Sequence, residues 1–301
     1  MYDILVIGGG PAGISAAIYA VSRGRKTLIL EQKEIGGVIG KVSTVTHYAG
    51  ILEQETGATF AGRLKQQALS AGVEIVYEAV TGVSLTGEQK EVQTARGSYR
   101  AQKVILANGT TPRKLGIEGE TALSGKGVES NAAKDGPKYQ GRSIYVVGGA
   151  DGAVKEALYL SQFASELTIV HFEETLGCIA EFRNKVAQTP NMKVRTGTRL
   201  KAVYGTQQVE ALDLVREQDG GVEHVKDPGC GIFIYAGATP NTQLYTQLEL
   251  EDGYIPVDGN METAIPGVYA VGDIRVKQVR QVATAVSDGA IAGIHAAAHI
   301  R

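Results

Sequence analysis

Three glycines near the N-terminus have the spacing of a turn that holds the pyrophosphate of a dinucleotide. Gly8, Gly10 and Gly13 form the pattern Gly-x-Gly-x-x-Gly. In such a turn the first glycine permits the tight bend, the second lets backbone N–H groups approach the phosphates, and the third lets the helix pack closely on the strand. Glu31 follows 18 residues after Gly13, where an acidic side chain accepts the hydroxyl groups of the adenosine ribose. The sequence therefore predicts a dinucleotide site in this first segment.

The segments around these glycines are the ones that such a site needs. Residues 4–7 are a short apolar run typical of a buried parallel strand, residues 14–20 have an Ala-rich helical pattern, and residues 27–30 form a second strand. The same order recurs over residues 143–170, with a second Gly-rich turn at 148–153. Two strand–turn–helix–strand units predict an α/β protein with two nucleotide-binding domains.

A third landmark suggests how the two domains are arranged along the chain. Residues 267–273 form a strand that ends in Gly-Asp, and an Ala-rich helical pattern follows at 281–298. This strand and helix can complete the first sheet, which makes the first domain discontinuous. We expect two Rossmann-like, three-layer ββα domains, with residues 1–113 and 242–301 in the first and residues 114–241 inserted as the second.

Composition excludes several classes of protein. The 301 residues carry a net charge of −2 without a basic block, so we expect neither nucleic acid nor an anionic membrane as a partner. No signal peptide is recognisable, and no apolar stretch is long enough to span a bilayer. Cys178 and Cys230 lie far apart and form no Cys-x-x-Cys motif, which suits a reducing cytoplasm. His295 and His299 share one face of the last helix, but no third ligand accompanies them, so no metal site is expected.

Several further segments give the chain a specific resemblance. It resembles the low-molecular-weight thioredoxin reductase family of flavoproteins. The matching segments follow the family order over nearly the whole chain, at residues 6–13, 36–37, 104–113, 237–242, 272–275 and 280–282. The resemblance implies FAD in the first domain and a homodimer. The cofactor-binding residues expected on this basis, together with those of the first turn, are Gly8, Gly10, Pro11, Ala12, Gly13, Glu31, Gly36, Gly37, Val38, Asn108, Gly109, Gly272, Asp273, Arg280, Gln281 and Val282.

Two parts of this set have roles that the resemblance implies. Asp273 would bond the ribityl chain of FAD. Residues 280–282, at the start of a helix, would face the N1/O2 edge of the flavin, where reduction builds negative charge. Val38 departs from the family, which usually has glutamine after the two glycines.

The most important departure lies at the redox centre. The family has a Cys-Ala-x-Cys-Asp-Gly segment in its second domain, and residues 131–136 of this chain read Asn-Ala-Ala-Lys-Asp-Gly. Asn131 and Lys134 replace the two cysteines. Without a dithiol, electrons have no route from the flavin to a thioredoxin disulfide by thiol–disulfide exchange. Cys178 and Cys230 are not expected to replace the dithiol, because neither has a partner within motif distance.

Three residues remain as candidates for catalysis. Asp135 is retained and could move a proton near the flavin, or it could be a solvated turn residue. Lys134 could stabilise a reduced flavin, although a surface lysine is the favoured interpretation. His47 replaces the family's asparagine and could act as an acid or base, or serve only as a structural loop residue.

The second Gly-rich turn is altered as well. Gly148 is kept, but Ala150 stands where the middle glycine lets the backbone approach a pyrophosphate. In the family, two arginines follow the ribose-reading position and a third lies four residues further on, and they bind the 2′-phosphate of NADPH. Here these positions are Phe172, Glu173 and Gly177. We therefore do not expect NADPH as the donor. NADH could bind through Gly148, Ala150 and Glu173, and a degenerate site that binds no nicotinamide is an equal alternative.

Three functions are compatible with these features. The favoured one is an FAD-dependent oxidoreductase that transfers electrons through flavin alone, with NADH preferred over NADPH, to a small-molecule acceptor or a redox protein. The second is a flavoprotein that is independent of pyridine nucleotides and takes electrons from ferredoxin or flavodoxin. The third is a non-enzymatic flavin-binding sensor or assembly protein.

Overall fold

The computed structural model describes residues 1–300, which fall into two compact units. The first unit comprises Met1–Gly40, Thr44–Thr111 and the described chain from Thr239 onward. The second unit comprises Lys41–Ser43 and Pro112–Ala238. No helix within residues 1–300 has the length and apolar character needed to cross a bilayer.

Strands and helices alternate along much of the chain. In chain order they are β1 (Tyr2–Ile7), α1 (Pro11–Val21), β2 (Thr27–Glu31), α2 (Gly57–Ser70), β3 (Glu74–Tyr77), β4 (Val80–Ser84), β5 (Lys90–Thr94), β6 (Gly97–Leu106), β7 (Thr110–Pro112), β8 (Val128–Glu129), α3 (Ala132–Asp135), β9 (Ser143–Val147), α4 (Asp151–Leu160), β10 (Glu166–Val170), α5 (Ala180–Gln188), β11 (Met192–Arg195), β12 (Thr198–Gly205), β13 (Val209–Arg216), β14 (Val222–Lys226), β15 (Gly231–Ile234), β16 (Ala238–Pro240), β17 (Val268–Ala270) and α6 (Val282–Ala298). Short 3-10 segments lie at Ile39–Lys41, Gly136–Tyr139 and Gly272–Ile274.

The sheet of the first unit has the strand order β3-β2-β1-β6-β5-β4, and β17 pairs with β6. Strands β1, β2, β3, β6 and β17 run parallel, whereas β4, β5 and β6 form an antiparallel meander. The pairing of β17 with β6 confirms that the late Gly-Asp strand completes the first sheet. Helices α1 and α6 pack closely at Gly289, where a Cβ atom would lie only 2.1 Å from the carbonyl oxygen of Ala12.

The second unit has a five-stranded parallel sheet in the order β11-β10-β9-β15-β8. Helices α4 and α5 cover one face of this sheet, where Ile144 and Ile169 are fully buried. The antiparallel meander β12-β13-β14 covers the other face around Leu212. The helix, parallel-sheet and meander layers confirm the predicted α/β class with Rossmann-like domains.

Candidate functional site

The first Gly-rich turn joins the carboxyl end of β1 to α1, and its glycines differ in what surrounds them. Gly8 has a φ of +108°, and its N–H donates to the carbonyl of Leu30 at 2.9 Å. A Cβ on Gly13 would lie 2.0 Å from the carbonyl oxygen of Gly8. A Cβ on Gly10 would meet only the carbonyl oxygen of Gly36, at 4.0 Å. Gly8 and Gly13 are therefore required by the fold itself, whereas Gly10 borders open space.

The start of α1 faces this open space with its positive end uncompensated. Gly10 is the N-cap residue and makes no side-chain capping bond, Pro11 is the first helical residue, and the first turn contains no acidic residue. The N–H groups of a helix's first turn have no partner within the helix, and together they carry a partial positive charge. An anion such as a pyrophosphate can supply the missing acceptors.

Glu31, at the end of β2, is held against the same turn. Its Oε2 accepts the N–H of Gly9 at 2.8 Å, and its Oε1 accepts the N–H of Lys33 at 2.9 Å. The N–H of Gly36 donates to the carbonyl of Gly9 at 2.8 Å, which brings the second glycine pair to this turn. The carboxylate is thus fixed in one orientation, with lone pairs left for a ribose.

Asp273 lies beside the start of α1 and contains a buried oxygen without a partner. It belongs to the 3-10 segment Gly272–Ile274, and a Cβ on Gly272 would lie 3.0 Å from the Cβ of Ala12. Its Oδ1 is buried and makes no hydrogen bond. Burial raises the pKa of Asp273, while the charges of Lys277 and Arg280 act in the opposite direction. A buried acceptor without a donor is costly in a protein, and a hydroxyl of a bound ligand would satisfy it.

Asp288 on α6 fixes the segment that carries Asp273, and sequence reasoning missed it. Its carboxylate accepts Arg275 Nε and Nη2 at 2.8 and 2.7 Å, Lys277 Nζ at 2.7 Å and the N–H of Gly272 at 3.1 Å. Burial acts to raise the pKa of Asp288, but its bonds to Arg275 and Lys277 outweigh burial and hold the pKa below the ordinary value. A single aspartate in an Ala-rich helix gave no signal of this role.

Asn108 and Gly109, after β6, are held by a polar loop from later in the chain. The hydroxyl of Tyr245 donates to Asn108 Oδ1, and Asn241 Nδ2 donates to the backbone carbonyl of Asn108 at 2.8 Å. The N–H of Asn241 donates to the carbonyl of Gly109 at 3.1 Å. Gly37 also adjoins the first turn, because a Cβ on it would lie 3.6 Å from the Cα of Gly10.

Other predicted cofactor residues lie at the surface. Val38 is 51 % exposed. Arg280 is exposed, and its guanidinium lies 4.2 Å from the ring centroid of Tyr254. Gln281 is the exposed N-cap of α6, and Val282 is the half-buried first residue of that helix. The contact of residues 280–282 with a flavin stays a prediction, as does a catalytic role for His47, which is exposed with a φ of 57°.

The segment that replaces the redox dithiol forms the short helix α3. Asn131 is its N-cap, and Asn131 Oδ1 accepts the N–H of Lys134 at 3.0 Å. The Lys134 side chain is exposed. Asp135 is buried, and its Oδ1 lies 2.6 Å from Lys138 Nζ. Asp135 is therefore a paired buried carboxylate and not the solvated turn residue considered from the sequence.

The two cysteines lie in different parts of the second unit's core. Cys178 packs in the core beneath α4 and α5, and Cys230 packs beneath the meander. Both are buried and free. Burial raises the pKa of both thiols, that of Cys230 to about 12. Since the thiolate is the reactive form, these are inert structural cysteines. No group of three or more His, Cys, Asp or Glu side chains within residues 1–300 could hold a metal ion.

The second Gly-rich turn keeps the backbone arrangement of the first. The N–H of Gly148 donates to the carbonyl of Val170 at 2.9 Å, and a Cβ on Gly148 would lie 2.5 Å from the carbonyl oxygen of Tyr235. Ala150 is the exposed N-cap of α4 and makes no side-chain capping bond. The start of α4 therefore has N–H groups without helical partners, but unlike α1 its first turn contains an acidic residue, Asp151, whose Oδ1 accepts the N–H of Ile179 at 2.8 Å.

The loop after β10 carries the residues that replace the family's cations. His171 is buried, and its Nε2 lies 3.1 Å from Oε2 of Glu173, whose side chain is 57 % exposed. A cation does reach this loop, from a distant part of the sequence. The guanidinium of Arg199, on β12, lies 4.2 Å from the ring centroid of Phe172. Sequence reasoning counted only residues near His171 and missed Arg199.

Comparison with known proteins agrees with this geometry. Residues 2–289 match the pyridine nucleotide-disulphide oxidoreductase family. The chain belongs to this family, in its thioredoxin reductase-like branch. A thioredoxin reductase of Peptoclostridium litorale is 38 % identical over 306 aligned residues, which cover 100 % of this chain and 97 % of that protein. The thioredoxin reductase of Lactococcus lactis has a solved structure that matches with a TM-score of 0.94 and 34 % identity, covering 98 % of both chains.

A second kind of thioredoxin reductase-like structure is also similar. A ferredoxin-flavin thioredoxin reductase from Clostridium acetobutylicum matches with a TM-score of 0.54 and 28 % identity, covering 99 % of this chain and 97 % of that one. Membership of the thioredoxin reductase-like branch makes this chain an oxidoreductase and flavoprotein, and implies FAD and a pyridine nucleotide. The orphaned Asp273 oxygen, the open space at Gly10 and the free start of α1 fit FAD.

Proposed function

We propose that this chain is an FAD-dependent oxidoreductase that transfers electrons through flavin alone, without a redox-active disulfide. One observation carries the proposal. At the place of the family's dithiol, Asn131 Oδ1 caps α3 through the N–H of Lys134. The two positions at which the family has its disulfide-exchanging cysteines thus hold a helix-capping asparagine and an exposed lysine. The inert, separately buried Cys178 and Cys230 support the same conclusion.

The residues around the first turn would hold FAD. The start of α1 and the space at Gly10 would take the pyrophosphate, Glu31 the adenosine ribose, and Asp273 a ribityl hydroxyl. Bound FAD supplies the electron-transfer chemistry, because its ring system accepts and releases electrons. Eight further residues would contact the bound FAD around the same turn (Pro11, Ala12, Gly13, Gly36, Gly37, Asn108, Gly109 and Gly272), and contacts from Val38 and residues 280–282 stay predictions.

NADH is the proposed donor. A carboxylate at Glu173 can accept ribose hydroxyls, and it repels the 2′-phosphate that distinguishes NADPH. The exposed Glu173 is anchored by the buried His171, which fixes its position at the carboxyl end of β10. The uncapped start of α4 supports pyrophosphate binding, whereas the methyl group of Ala150 and the carboxylate of Asp151 in the first turn act against it.

A ferredoxin donor is the second candidate. Loss of all three expected cations weakens the case for any nicotinamide nucleotide, and the similar structure from Clostridium acetobutylicum is that of a ferredoxin-flavin thioredoxin reductase. In that case the second Gly-rich turn would bind no nucleotide. We further propose a homodimeric, cytoplasmic protein whose acceptor is a small molecule or a redox protein.

Anaerobic stopped-flow spectroscopy of the purified holoprotein separates these candidates. We expect micromolar NADH to bleach the flavin absorbance, NADPH to do so much more slowly, and a thioredoxin-coupled disulfide assay to show no turnover. Bleaching by reduced ferredoxin alone would establish the second candidate. Reduction by neither donor would leave a flavin-binding sensor or assembly protein. Clear thioredoxin turnover would overturn the proposal that flavin acts without a disulfide.

A further inference from the structure

An exposed aromatic ring and a guanidinium form a stacked pair at the second nucleotide turn. Phe172 is 44 % exposed, and Arg199 lies over its ring at 4.2 Å. A large exposed aromatic residue leaves apolar area in water. Both groups are flat and both stack on nucleobases.

Backbone hydrogen bonds hold the two residues in this position. The loop after β10 and the segment before β12 are joined by three bonds, from His171 N–H to the Arg195 carbonyl, from Thr198 N–H to the His171 carbonyl, and from Gly197 N–H to the Glu173 carbonyl, all at 2.9 Å. These bonds fix the register of the two segments on either side of the Phe172–Arg199 contact. The backbone that carries the stacked pair is therefore preorganised, which lowers the ordering cost of binding.

The place of the pair in the fold identifies the part of the ligand that it would contact. In a Rossmann unit the dinucleotide lies outside the carboxyl ends of the strands, with its adenosine half at the end of the second strand. In the second unit this strand is β10, and Phe172 follows its end by two residues. We propose that Phe172 and Arg199 form the platform for the adenine ring of NADH, beside the ribose-binding carboxylate of Glu173. This role rests on the proposed NADH donor.

The charges around Arg199 also determine which coenzyme the platform accepts. Arg199 Nε donates to Oε1 of Glu217, so its charge is already paired. Glu173 and Glu174 are exposed close by on the same loop. The guanidinium thus serves as a flat stacking surface and does not offer a free charge to a 2′-phosphate. Glu217 is a specificity-determining residue on this basis, because it prevents Arg199 from replacing the missing arginines.

Binding of NAD⁺ and ADP-ribose to the oxidised holoprotein by isothermal titration calorimetry tests the platform without turnover. We expect Phe172→Ala and Arg199→Met each to weaken both ligands about tenfold, the size of one lost base-stacking contact. Arg216→Met is the matched control, because Arg216 lies in the neighbouring strand and pairs with Asp219 at the surface. It should leave both affinities unchanged. Glu217→Gln should raise the affinity for NADP⁺ relative to NAD⁺.

A shortened donor separates the platform from the rest of the site. Nicotinamide mononucleotide in its reduced form lacks adenine, so the rate at which it bleaches the flavin should be the same in wild type, Phe172→Ala and Arg199→Met. If Phe172→Ala and Arg199→Met both bind NAD⁺ and ADP-ribose with wild-type affinity, the proposed adenine platform is wrong, while NADH can still be the donor. Failure of the wild type to bind NAD⁺ and to be bleached by NADH would overturn the proposed donor and the platform with it.

Discussion

Substitution by alanine should have different effects at two glycines of the first turn: loss of stability at Gly13 and loss of FAD affinity at Gly10. Gly13→Ala places a methyl group 2.0 Å from the carbonyl oxygen of Gly8, inside the turn itself. Overpacking of this kind costs about 1–3 kcal/mol and sometimes more, and we expect the upper end because a backbone atom must move. For a unit of this size, about 3 kcal/mol lowers the Tm by about 6–12 °C.

Gly10→Ala should leave the fold intact and weaken FAD binding. Gly10 has a φ of −74°, which alanine adopts freely, and a methyl group would have no neighbour closer than 4.0 Å. We expect the stability of the apoprotein to change by less than about 1 kcal/mol. The methyl group would project into the space that we assign to the pyrophosphate. Loss of one hydrogen bond to a charged phosphate costs about 1.5–3 kcal/mol, so FAD affinity should fall about 10- to 100-fold.

Thermal unfolding of the apoproteins by circular dichroism, and titration of each with FAD by fluorescence, measure the two effects separately. Gly62→Ala is the matched control, since Gly62 lies within α2 and nothing surrounds its Cβ position within 4 Å. It should be stabilising by up to about 1 kcal/mol with unchanged FAD affinity. Wild-type FAD affinity in Gly10→Ala would refute the placement of the pyrophosphate. An unchanged Tm in Gly13→Ala would refute the steric reasoning.

Three further predictions concern buried charge, the lost dithiol and the remaining thiols. Asp288→Asn leaves buried cations unpaired and should cost about 3–5 kcal/mol in urea unfolding, against at most about 1 kcal/mol for Glu91→Gln in an exposed pair. Folding lowers the pKa of Asp288, so the stabilisation by its carboxylate is present above the unfolded pKa of about 3.9 and is lost as pH falls through the folded pKa. Equal losses of unfolding free energy in Asp288→Asn and Glu91→Gln would contradict this reasoning. So would a destabilisation by Asp288→Asn that persists in acid. Asn131→Cys with Lys134→Cys should form an intramolecular disulfide, seen by mass spectrometry, at a capping cost of about 1 kcal/mol, and failure to oxidise would show that α3 holds the two positions apart. Cys230, with a pKa of about 12, and the other buried cysteine should react with a thiol reagent at neutral pH only after denaturation, and rapid labelling of the native protein would contradict their assignment as inert.

The local part of the fold was readable from the sequence. Strand and helix patterns around the Gly-rich turns depend on residues close together in the chain, and the strand predicted over residues 27–30 is β2, Thr27–Glu31. The family followed from six short segments, and the absence of a Cys-x-x-Cys motif is a property of the covalent chain. The proposed loss of disulfide exchange therefore rests on the covalent chain alone.

The tertiary structure decided which contacts these residues make. The spacing of Gly10 and Gly13 is the same in any such turn, but only the packed structure separates a glycine required by the fold from one that borders open space. Asp135 could be a solvated or a buried group in the sequence, and its pairing with Lys138 depends on how α3 is followed by a 3-10 turn.

The placement of Arg199 could not be predicted from the residues near His171. Its contact with Phe172 requires the loop after β10 to pair with the segment before β12 in one register, which long-range backbone hydrogen bonds set. The hydrogen bond from the N–H of Gly272 to the carboxylate of Asp288 likewise depends on where α6 packs. The sequence by itself determined the family, the two nucleotide turns and the missing dithiol, because these are local or covalent properties. Charge and stacking partners at the second turn were decided only by folding, because they join residues that no short-range pattern connects.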